Sequence, residues 1–103
     1  LMLWPPEAET VDDIKATVEP IIGGYGHKNL YYDIVRTGRK LWISVYITFD
    51  RDIISLSKFQ ILQTKCIAAL AEKYQDFYFE LLPDIQLDSV DEEKIKAHTE
   101  EGD

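Results

Sequence analysis

The chain has 103 residues, 46% hydrophobic and 12% aromatic, and a net charge of −8. This composition describes one folded domain burying roughly 65% of its unfolded surface, not a disordered segment. The acidity speaks against nucleic acid or an anionic membrane surface as the main partner. It is also concentrated, since residues 84–103 carry −6 of the total. A lone cysteine, Cys66, excludes an internal disulfide and fits a reducing compartment. No apolar run approaches the eighteen or so residues that cross a bilayer.

The first residues, Leu1 to Trp4, are apolar and lead into Pro5-Pro6, a stiff pair without backbone donors. Nothing there has the basic flank and longer apolar core of a signal peptide. Residues 1–6 read as the cut end of something longer, and residues 1–8 are expected to be a linker. Thr10 followed by Asp12 and Asp13 predicts a helix start, with Thr10 as N-cap. Val11, Ile14, Val18, Ile21 and Ile22 recur at helical spacing, giving a first helix over 11–22. Pro20 should kink it or tighten its last turn. Gly23-Gly24-Tyr25-Gly26 stops it, with a glycine for the left-handed cap. A phosphate-cradling loop would need a strand before the glycines and a helix after them, the reverse of this order.

Residues 29–36 and 40–49 read as two strands joined through Thr37-Gly38-Arg39, a hairpin. The second is the clearest signal in the chain: Leu41, Ile43, Val45, Ile47 and Phe49 alternate with Trp42, Ser44, Tyr46 and Thr48. A second helix is expected from Ser57 to Tyr74. Ser57 with Gln60 forms a capping box, although Ser55 could serve instead. Its inward stripe is Phe59, Leu62, Cys66, Ala69, Leu70 and Lys73, which makes Cys66 a core residue rather than a nucleophile. Residues 77–82 form a third strand stopped by Pro83. The tail 84–103 is acidic, with a capping-box pattern at Ser89–Glu92 and little to bury. It is expected to be partly disordered or a short helix.

Helix, strand, strand, helix, strand predicts an α+β fold: a truncated ferredoxin-like αββαβ sandwich, a three-stranded mixed sheet with both helices on one face. A strand formed by residues 1–4 would complete it as βαββαβ. The helix-free side should carry Tyr31, Val35, Trp42, Tyr46, Tyr78 and Leu82, with Asp33, Ser44, Thr48 and Glu80 among them. Aromatics clustered this way are typical of interfaces, and a two-fold homodimer is the commonest cover. These six residues are therefore the expected dimer contacts.

The acidic start of helix one (Glu9 to Ile14), the strand running into Arg36-Thr37-Gly38, Val45 to Asp50, Ser55-Leu56 and the terminal Pro83 together resemble a known family. Over residues 9–83 the chain is similar to the cytosolic C-terminal domain of cation diffusion facilitators, membrane transporters that export divalent metals. The resemblance implies a homodimerising regulatory domain attached to the transporter's own transmembrane part, on the cytoplasmic side of the cell membrane. Catalysis is not expected either, since the two His residues are far apart in sequence and no nucleophile–base pairing is in sight. Members that bind metal in this domain place His at positions that fall here on Tyr46, Phe59 or Gln60, Glu80 and Leu82, with another near Leu30. Most imidazoles are thus missing, and zinc prefers them, whereas manganese and magnesium accept oxygen. No cofactor is required. A divalent cation such as zinc or manganese has only His27, Glu80, Asp84 and His98 as candidate ligands. The competing reading is a free-standing ferredoxin-like module binding a small molecule through its strand–helix loops.

Overall fold

The computed structural model describes residues 4–49 and 54–84. Helix α1 spans Ala8–Gly23, β1 His27–Thr37, β2 Lys40–Phe49, α2 Leu56–Ala71 and β3 Phe77–Pro83. The sheet order is β1-β2-β3, with β1 and β2 antiparallel and β2 and β3 parallel. The expected α+β sandwich is the fold of the chain.

The hairpin fixes the register. Thr37 pairs with Lys40, leaving Gly38 and Arg39 as a two-residue loop. Gly38 has φ +60, whereas no residue other than glycine has positive φ among the described residues. Glycine at the first loop position and an ordinary second residue make a type II′ turn, whose twist matches that of the strands. From there the alternation in β2 sends Leu41, Ile43, Val45 and Ile47 to one side, all buried. They meet Ile14, Val18 and Ile22 of α1, Leu62, Cys66 and Leu70 of α2, and Phe79 and Leu81 of β3. Both helices therefore cover the same face. Burying each large aliphatic side chain stabilises the fold by about 1.5–3 kcal/mol.

Several local expectations are corrected. Helix α1 begins at Ala8, three residues before the expected Val11, because Val11 N–H bonds Glu7 C=O at 3.1 Å and closes an earlier turn. Thr10 is not the cap; its hydroxyl donates to Glu7 Oε2 at 3.1 Å. At the other end Gly24 is right-handed, and the left-handed residue is Gly26, φ +71, just before β1. Pro20 lies within the helix, and its last turn tightens, with Tyr25 N–H bonded to Ile22 C=O at 3.0 Å. In α2 the cap is Ser55, whose Oγ accepts from Lys58 N–H at 3.2 Å, so the Ser57 box is not used. The helix ends at Ala71, short of Tyr74.

Trp4 pairs with Arg36 through two backbone hydrogen bonds of 2.9 and 3.0 Å, on the outer edge of β1. A leading strand completing βαββαβ would have to lie between β2 and β3. That slot is closed by their direct parallel pairing. Glu7 also reaches Arg36, Oε2 to Nη2 at 3.1 Å. Glu7's carboxyl is held below the ordinary range by its own backbone amide, then by Thr10 and Arg36. On the opposite edge, Gln63 Oε1 accepts the Leu81 N–H at 3.2 Å and Pro83 has no donor, so β3 offers a reduced template for further pairing.

Candidate functional site

The open side of the sheet is built by the residues that alternate with the core. Register places them in rows across the three strands: Tyr31, Tyr46 and Leu82; then Asp33, Ser44 and Glu80; then Val35, Trp42 and Tyr78. Two apolar rows thus flank a polar one. All six expected contact residues lie on this face. Tyr31 is 64% exposed, Tyr78 46% and Trp42 39%, and Val35, Tyr46 and Leu82 are half-buried. Exposed aromatics on this scale, contiguous and on one face, suit an interaction surface.

The aromatics are held by their neighbours. Tyr31 and Tyr46 rings are 5.9 Å apart and tilted, and Trp42 and Tyr78 rings 5.8 Å apart. The Trp42 indole N–H donates to Thr37 Oγ1 at 2.6 Å, and Lys40 Nζ sits 4.7 Å over its ring. Sequence reasoning did not single out Thr37 or Lys40, because their reach to Trp42 depends on the turn geometry. In the middle row, Ser44 Oγ donates to Glu80 Oε1 at 3.0 Å, and Tyr78 Oη to Glu80 Oε2 at 3.4 Å. The rows are therefore preorganised, with little rotamer freedom left to lose on contact.

Among the described residues, the candidate metal ligands His27, Glu80 and Asp84 are not brought together. A register shift between His27 and Asn29 pairs His27 with Phe49 and turns it to the helix side. There it lies beside Gly23 and lines a shallow cleft with Lys15, Glu19, Pro20 and Tyr32. Its Nδ1 is occluded and has no hydrogen-bond partner. Glu80 is on the opposite side of the sheet, in the hands of Ser44 and Tyr78. Asp84 follows Pro83, its N–H bonded to Ile47 C=O at 2.7 Å. Four residues along an extended chain separate Glu80 from Asp84, about 13 Å. His98 lies outside the described residues. Among the described residues no three of His, Cys, Asp and Glu come close enough to hold a metal ion.

Cys66 is fully buried, and burial pushes its thiol up to about 11, the opposite of nucleophile activation. A second concavity, about 440 Å³, opens between the loop at Gly24-Tyr25-Gly26 and the start of α2, lined also by Phe49, Ile54, Ser55 and Lys58.

No protein-family model and no curated protein sequence matches the chain. Solved structures do. A structure of CzrB, described as a zinc transporter, aligns with 81% of this chain and 100% of its own, at TM-score 0.65 and 15% identity. Two substituted forms of the MamM C-terminal domain align at TM-scores 0.55 and 0.54, each 14% identical and matched over its whole length, covering 78% and 79% of this chain. No helix among the described residues is long and apolar enough to cross a membrane. The fold that the sequence resemblance implied is the fold of the chain, shared with the CzrB structure and the MamM C-terminal domain.

Proposed function

We propose that the chain is the regulatory cytosolic domain of a divalent metal cation efflux transporter, acting without enzymatic chemistry. It works as a homodimer on the cytoplasmic side of the cell membrane, joined to the transporter's membrane-spanning part. The likeness of fold to CzrB and the MamM C-terminal domain, over their whole length, carries this reading. The two aromatic rows on the open face support the dimer, because a two-fold partner presenting the same rows would cover them. The exported cation is the transporter's cargo. Among the described residues His27 and Glu80 lie on opposite sides of the sheet, which supports a regulatory role carried by association of two copies.

Two measurements test the reading. The sequence encoded upstream of Leu1 should contain several apolar spans of about twenty residues; a free-standing gene without them would contradict it. Calorimetry with zinc and with manganese should give no submicromolar binding to this domain. Tight binding lost in Glu80→Ala or His27→Ala would overturn the metal-independent part.

A second reading, a free-standing small-molecule-binding module, is favoured by the cleft of about 440 Å³ at the strand–helix loops. That volume is within the range of ligand sites. The upstream sequence separates the two readings, since only the first requires a membrane region.

A further inference from the structure

We propose that the outer edge of β1, from Leu30 to Ile34, docks an extended basic segment of a partner protein as an added antiparallel strand. Arg36 turns both its N–H and its C=O outward, to Trp4, at 2.9 and 3.0 Å. Backbone groups alternate along a strand, so Ile34, Tyr32 and Leu30 turn theirs to the same edge. The hairpin agrees. Thr37 and Lys40 close its two-residue loop as a bonded pair, which directs Val35, Asp33 and Tyr31 at β2 instead. The outward N–H and C=O groups of Leu30, Tyr32 and Ile34 have no hydrogen-bond partner among the described residues.

The edge is stopped at both ends and open between them. Trp4 fills it at Arg36, and Pro5 and Pro6, without donors, end that pairing. At the other end the register shift between His27 and Asn29 disrupts the strand. The far edge of the sheet is blunted by Gln63 and Pro83, whereas the five residues between, about 14 Å, carry no such device. Trp4 also sets the direction, since extended backbone already lies antiparallel there. Residues of an added strand opposite Leu30, Tyr32 and Ile34 would face the helix side, where these three remain half-buried. The cleft beside Leu30 and Tyr32, walled by Pro20, leaves room there for apolar side chains. The residue opposite Asp33 lies on the open face, beside a carboxylate with no ion-pair partner among the described residues. Opposite charges favour each other across strands. Glu19 lines the cleft, while Lys15 is turned onto the Tyr32 ring, and the chain carries −8 overall. The segment that fits therefore alternates apolar residues with lysine or arginine. Main-chain bonds give such docking its affinity and alternate side chains its specificity.

Amide hydrogen exchange of the native chain by NMR, alone and with a capped heptapeptide alternating isoleucine with lysine, tests this. In the free chain the amides of Leu30, Tyr32 and Ile34 should exchange at least about tenfold faster than those of Tyr31, Asp33 and Val35. Saturating peptide should slow the first three at least about tenfold. The isoleucine amides point at β1 in this pairing, so methylating their nitrogens should abolish binding. Methylating the lysine amides should leave it within about twofold. Asp33→Lys should weaken binding about two- to fivefold. Slow exchange of the three outward amides in the free chain would mean that the edge is already filled, and would overturn the proposal. So would absence of binding up to about 1 mM, undiminished binding of the isoleucine-methylated peptide, or undiminished binding to Asp33→Lys. Binding lost in Trp42→Asp with Tyr46→Asp would place the peptide on the open face and overturn it as well. None of these outcomes depends on the open-face dimer, whose own test is the state of association.

Discussion

The Tyr74 hydroxyl donates to Asp13 Oδ2 at 2.6 Å, tying the segment that follows α2 to the first turns of α1. Lys73 Nζ joins from the same turn, 3.0 Å from Asp13 Oδ1 and 3.0 Å from Thr17 Oγ1. These bonds hold the two helical segments together at the hairpin end of the sheet. Tyr74→Phe should cost about 0.5–1 kcal/mol in urea unfolding, the net worth of a partly exposed hydrogen bond. A variant as stable as the native chain would show that water replaces the bond without loss.

The same contact sets an acid dependence. Asp13 is held below its ordinary range, first by the Tyr74 hydroxyl and then by Lys73. A carboxyl lowered in the folded state contributes stability that is complete above the unfolded-state value, about 4, and lost as pH falls through the folded one. Asp13→Asn should therefore flatten part of the fall in thermal midpoint below pH 4 and change nothing in its shape between pH 5 and 8. An unchanged acid limb would remove Asp13 from the account. Tyr74 titrates in the other direction, raised to about 12 by burial and by Asp13.

Ser55 and Ser57 offer a direct contrast. Ser55→Ala removes the acceptor of the Lys58 N–H and should cost about 1 kcal/mol. Ser57→Ala should stay within about 0.5 kcal/mol, as surface changes do. Chemical denaturation of the two variants decides, and a larger loss at Ser57 would move the cap back to the box.

Cys66 should be inert until the domain unfolds. With its thiol raised to about 11, labelling at pH 8 should be about a hundredfold or more slower than for a free thiol near 8.5. In strong denaturant the rates should converge. Fast labelling of the folded chain would place Cys66 outside the core.

Element types were legible because period and position agreed. The alternation in residues 41–49 and the 3.6-residue stripe through Leu62, Cys66 and Leu70 each admit one burial pattern. Boundaries were less so. Two serines two residues apart both supply a cap oxygen, and only the tertiary position of α2 chooses Ser55. Trp4 adds a single bridge to β1, too short to leave a period. The shift at His27 escaped notice because one extra residue reverses a side chain without changing composition. The open face was readable as a set of residues, but its rows were not. They depend on how β1, β2 and β3 are aligned, and the alignment follows from the II′ turn at Gly38 and the β2–β3 crossover.

In the proposed dimer two copies meet through this face. Sedimentation equilibrium at pH 6 and high micromolar concentration, on the native chain and on Trp42→Asp with Tyr46→Asp, tests it most directly. Both side chains lie outside the core, so the variant should keep its circular dichroism. A native dimer and a monomeric variant are expected. A native monomer, or a variant that dimerises as well as the native chain, would contradict it.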